Sequence, residues 1–67
     1  MNLKLQAMLQ QAIQAFQAGN FESAEENLKE ILRVDLNNLP ALHILGLIKA
    51  SRANYKEAAD YLTRAAQ

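Results

Sequence analysis

Apolar residues recur along the first third of the chain at Leu5, Met8, Leu9, Ala12, Ile13 and Phe16. This three-and-four spacing marks one face of a helix and predicts an amphipathic helix over Leu3 to Ala18. Gln6, Gln10, Gln14 and Gln17 form a second, polar stripe, and Gly19 supplies the left-handed residue that ends such a helix. Asn20 then caps a second helix, expected from Phe21 to Asp35, whose apolar side is Phe21, Ala24, Leu28, Ile31, Leu32 and Val34. Glu22, Glu25 and Glu26 lie near its positive end and Lys29 and Arg33 near its negative end, as the helix dipole favours. Glu25 and Lys29 read as an exposed i,i+4 pair, and the whole charge run as a solvated face.

Asp35-Leu36-Asn37-Asn38 reads as a turn, and Pro40 is tolerated in the first turn of a helix. The third helix, expected from Leu39 to Arg52, carries Leu42, Ile44, Leu45, Leu47 and Ile48 and is apolar almost all round. Such a helix needs neighbours on several sides, so it is expected at the centre. Asn54 and Glu57 have the spacing of a capping box for a fourth helix reaching the end of the chain, with Tyr55, Ala58, Leu62 and Ala65 inward.

The helices are organised as a repeat. Gly19-Asn20-Phe21-Glu22-Ser23-Ala24 returns 34 residues later as Ala53-Asn54-Tyr55-Lys56-Glu57-Ala58, and the same offset pairs Met8 with Leu42, Ala12 with Gly46, and Leu28 with Leu62. A period of this size built on a helical hairpin means that each unit buries its apolar face against its neighbour. The chain therefore reads as a single domain, residues 1–67, with one unit over about 5–38 and the next over about 39–67. Ala53 stands where the first unit has Gly19. If the turn needs a positive φ there, alanine costs up to about 1 kcal/mol, and Ala53→Gly should raise the melting temperature.

Composition narrows the function classes. A chain of 67 residues without cysteine has neither disulfides nor thiolate metal ligands to reinforce its small core, so helix packing or another chain must hold it. Seven basic and seven acidic side chains cancel. That removes the positive field expected of a nucleic-acid or anionic-membrane binder, although the middle is acidic and the last third mildly basic. The Gln-rich start lacks the features of a signal peptide, and the longest nearly apolar run, Leu39 to Ile48, is far short of the roughly 20 residues a membrane span needs. A soluble, cytoplasmic protein is the expectation.

Catalytic chemistry finds little to work with. His43, Ser23, Ser51, Thr63 and scattered carboxylates do not form a set, and His43 has no helically spaced carboxylate to orient it or second ligand to share a metal. No phosphate-binding glycine loop or metal-binding helix motif is present, so neither an enzyme nor a cofactor is expected. A DNA-binding helix-turn-helix would want Lys and Arg flanking its base-reading residues, but the first helix offers only Lys4 and the second is acidic.

The small residues Ala12 and Gly46, the aromatics Phe21 and Tyr55 after each turn, and the small Ala24 and Ala58 three positions on resemble the tetratricopeptide (TPR) repeat over about residues 5–67. Three features depart from that pattern: Met8 and Leu42 replace the opening aromatic, Ala53 replaces a turn glycine, and Leu36 replaces the closing proline. The resemblance implies an all-α fold of two tandem hairpins, four antiparallel helices in a short right-handed solenoid. Phe21 and Tyr55 would wedge the hairpins, and the first helix of each unit would line a concave groove. Helical spacing places Leu9, Gln10, Ile13, Phe16 and Gln17 there from unit one, and His43, Leu47, Ala50 and Ser51 from unit two. Ile13 and Leu47 stand where grooves that hold a terminal carboxylate carry polar or basic residues, so an amphipathic helix or apolar peptide is the expected occupant.

The implied function is protein–protein interaction, with a protein or peptide partner or a second copy as a homodimer. A narrower resemblance, carried by the LPALHILG segment within Ala24 to Gly46, is to N-terminal repeats that precede bacterial glycosyltransferase or sulfotransferase domains. On that alternative the chain is the non-catalytic front of a larger enzyme. The second unit stops a few residues short of its period, with Ala65-Ala66-Gln67 still helical in pattern, which fits an excerpt of a longer chain.

Overall fold

A computed structural model describes residues 3–67 and places them in four helices: α1 (Leu3–Gln17), α2 (Phe21–Val34), α3 (Leu39–Ser51) and α4 (Tyr55–Ala66). The fold is all-α, with tandem helical hairpins. α1 packs along α2 and α3 along α4, while α3 also touches α2 and α1 and so joins the two hairpins. Among the described residues no helix is long and apolar enough to cross a membrane.

The turns explain where the helices stop. Gly19 takes φ 81°, and the amide of Asn20 donates to the Ala15 carbonyl at 2.8 Å, closing the end of α1. Ala53 takes φ 59°, and Asn54 donates to the Lys49 carbonyl at the same 2.8 Å. The second turn thus copies the first with a residue that carries a Cβ, in a region where L side chains are strained. Relief of that strain outweighs the extra freedom glycine gives the unfolded chain. Ala53→Gly is accordingly expected to raise the melting temperature by several degrees in a circular-dichroism melt, about 0.5–1 kcal/mol. An unchanged or lower value contradicts the strain.

Capping differs between the units. Asn20 accepts from the Ser23 amide at 3.4 Å and Asn38 from the Ala41 amide at 3.0 Å, so α2 and α3 begin on side-chain caps. The expected capping box of α4 does not form: Asn54 makes no side-chain cap bond, and the Glu57 carboxylate is drawn instead to the Lys49 ammonium at 3.2 Å. The Asn54 amide already donates to the Lys49 carbonyl, so Glu57 gains nothing by reaching back and pairs with the nearly buried cation.

The core lies at the joint between the units. Ala12 of α1, Ala24, Leu28, Ile31 and Leu32 of α2, and Ala41, Leu42, Leu45 and Ile48 of α3 form one buried cluster. α3 is thus central, as its apolar pattern predicts, though His43 and Leu47 reach solvent. Gly46 marks the close crossing of α3 and α4: a Cβ there would lie 2.6 Å from Cγ and Cδ2 of Leu62. The aromatic wedge exists in the first hairpin only, where Phe16 and Phe21 stack at 5.5 Å. Tyr55 is 69% exposed and Val34 is mostly exposed, so neither occupies the inward position its spacing suggests. Among the described residues no neighbour covers them fully, and periodicity alone does not reveal that.

Candidate functional site

The nine residues expected to line a groove divide between two surfaces. On α1, Leu9, Gln10 and Ile13, with Gln6, line a shallow depression of about 300 Å3. Gln10 and Gln17 are exposed, as amides on a polar stripe should be. Leu9 and Phe16 are half-buried and packed against the core, and the Phe16 ring is taken up by Phe21. Phe16 therefore holds the first hairpin together, and an alanine there would loosen the fold as well as alter the surface. Ile13 is half-buried and lies outside the core cluster.

On α3, Leu47 is 40% exposed and Ala50 half-buried. Ser51 is exposed, but its hydroxyl donates to the Ile48 carbonyl at 2.7 Å, the usual local bond of a serine in a helix's last turn. His43 belongs elsewhere. It lines a larger depression of about 560 Å3 with Leu39, Pro40, Leu62, Ala65 and Ala66, at the end of the chain where α3 and α4 meet.

One cluster has no counterpart in the helical spacing. The Lys49 ammonium lies 2.9 Å from Glu25 Oε1 and 3.2 Å from Glu57 Oε2, and Glu25 also meets Lys29 at 3.5 Å and Arg52 at 3.9 Å. The Lys49 and Glu25 side chains are only 11% and 16% exposed. The hydrogen bond from Lys49 holds the Glu25 carboxyl below its ordinary range, outweighing the upward push of burial. The same bond raises the Lys49 ammonium against the downward pull of its own burial. Glu25 is therefore not part of a solvated face, and its pair with Lys29 is the lesser of its contacts. The available signal was Lys49 itself, a lone cation in the otherwise apolar run of α3 whose burial requires a carboxylate on a neighbouring helix.

This cluster joins α2, α3 and α4 electrostatically. Among the described residues no three His, Cys, Asp or Glu side chains gather where a metal ion could be held. No protein-family model, curated protein or solved structure matches the chain.

Proposed function

We propose that the chain is a non-catalytic protein-interaction module of the tetratricopeptide kind, which takes an amphipathic helix or apolar peptide segment along the first helix of each unit. The observation that supports it is the pair Ile13 and Leu47. They hold the same position of the 34-residue repeat, both are large and aliphatic, and both stand outside the packed core. An aliphatic side chain left partly in water at one position is ordinary, but its return at the equivalent position gives a stripe with apolar contact to offer. The flanking Gln10, Gln17 and Ser51 are uncharged, so recognition rests on apolar burial rather than on capture of a charged end group.

The test uses a 15-residue amphipathic probe peptide with leucine at three-four spacing and Glu and Lys elsewhere, followed by residue-resolved NMR titration. Shifts at Leu9, Ile13 and Leu47 are expected. Ile13→Ser with Leu47→Ser should weaken binding read at those amides about thirtyfold, each lost aliphatic contributing about 1 kcal/mol, with little change in melting temperature. Intact binding in the double variant, or no shifts at those residues, overturns the groove.

A further inference from the structure

Lys49 is the one permanently charged side chain of α3, yet it lies on the buried side of the helix, with Leu45 and Leu42 one and two turns before it. Leu47, on the other side, stays 40% exposed. Apolar burial alone would turn Leu47 inward and Lys49 out, so something besides apolar area places α3. Within its own hairpin that role falls to Gly46, where a Cβ would strike Leu62, and to Glu57, 3.2 Å from the ammonium. Across the junction it falls to Glu25, at 2.9 Å.

The rest of that junction is nearly featureless. Ala41, Leu42, Leu45 and Ile48 of α3 share one cluster with Ala24, Leu28, Ile31 and Leu32 of α2. Moved along α2 by one turn, about 5 Å, α3 would still set aliphatic on aliphatic. The connection from Asp35 to Asn38 does not forbid this, since four residues reach roughly 13 Å when extended. The charges do forbid it. A shift toward the C-terminal end of α2 brings Lys49 up to Lys29 and leaves Glu25 without its closest cation. A shift the other way takes Lys49 to Glu22 in the exposed first turn and strips away a turn of aliphatic overlap. Arg52, 3.9 Å from Glu25, and Arg64, which donates to the Leu36 carbonyl at 3.2 Å, also cross the junction, but from exposed side chains long enough to follow a shift.

We infer that the Glu25–Lys49 pair fixes the register of the second hairpin on the first. The two halves of the mark are divided between the units: Ala15 holds the position of Lys49 in unit one, and Ala59 that of Glu25 in unit two. Neither unit therefore carries a second partner at the equivalent place. The role is one of position more than of strength, because a buried pair is replaced by apolar side chains of similar size with little or no loss of stability. It stands whatever binds at the groove, although the register also sets the spacing between Ile13 and Leu47.

Spin labels test the register, and the chain has no cysteine of its own to interfere. Lys4→Cys and Lys56→Cys place one label at the start of α1 and one at the start of α4, at opposite ends of the bundle on two exposed side chains. Pulsed electron paramagnetic resonance then reads the distance between the units. One distance is expected in the wild-type background, and one with Lys49→Arg, which keeps the cation. Glu25→Leu with Lys49→Met should keep the helix content and a melting temperature equal to or above the wild type. It should also show a second population, shorter by up to about 5 Å, as the second hairpin slips toward the C-terminal end of α2. A single unchanged distance in that double variant would mean that packing alone sets the register, and overturns the inference. Two distances in the wild type or in Lys49→Arg overturn it as well. So does a fall in melting temperature of more than about 10 °C in the double variant, which would make the pair a stabiliser instead.

Discussion

Leu45→Ala is expected to lower the melting temperature by about 20 °C, a loss of about 3 kcal/mol in a chain of this size. Leu45 is fully buried at the middle of α3, in the cluster that joins the two hairpins. Its removal costs the transfer energy of three carbons and leaves a cavity walled by α2 and α3, which cannot close without separating the units. A domain of 67 residues holds a total of only about 3–10 kcal/mol, so this one side chain carries a third or more of the margin. Gln11, at the same repeat position in α1, faces solvent, and Gln11→Ala should change stability by less than about 0.5 kcal/mol. Thermal and urea melts of the two variants side by side check this. Equal effects would mean that α3 is no more central than α1.

The second large effect is at Lys49. Lys49→Met removes the ammonium between Glu25 and Glu57 and leaves Glu25 Oε1, which is shut from solvent, without its closest cation. Breaking a buried pair by deleting one partner costs about 3–5 kcal/mol, but Lys29 and Arg52 still flank Glu25, so a loss of about 2 kcal/mol is expected. The pH profile gives the sign. Glu25 has its carboxyl lowered on folding, so its contribution is present above the ordinary value of 4.5 and is lost as the pH falls through the lowered one. Lys49 has its ammonium raised, so its contribution is complete below the ordinary 10.5 and is lost as the pH rises through the raised one. Urea melts of the wild type should therefore show a plateau bounded on both sides by this cluster. Lys49→Met should lower the plateau and flatten its alkaline edge. A variant as stable as the wild type across the range would show that the pair contributes nothing net.

Much of this fold was legible in the chain. Helix ends fell within a residue or so of their predicted places, because Gly19, the capping asparagines Asn20 and Asn38, and Pro40 act locally and leave their mark in sequence. The small residues at Ala12, Ala24, Gly46 and Ala58 are all buried where helices cross. Tyr55 and Val34 were misplaced, and Leu62 packs on Gly46 yet stays partly in water, for one reason: spacing says which side of a helix is apolar and cannot say whether anything lies over it. Leu28 and Leu62 occupy the same repeat position, and only Leu28 has the helices of a second unit packed over it. The Lys49 cluster escaped because Glu25 and Lys49 meet across two helices, 24 positions apart. Of the proposed groove, the recurrence of an aliphatic residue at Ile13 and Leu47 was visible in the sequence. The diversion of Phe16 to Phe21 and of His43 to the end of the chain where α3 and α4 meet depends on packing and was not.

All of these conclusions depend on α3 of the second unit lying against α2 of the first. A double-mutant cycle with Glu25→Gln and Lys49→Met tests that contact directly by urea denaturation at neutral pH. The two side chains should be coupled by about 1–2 kcal/mol, the double variant being less destabilised than the sum of the singles. Strict additivity would contradict the stacking of the second unit on the first.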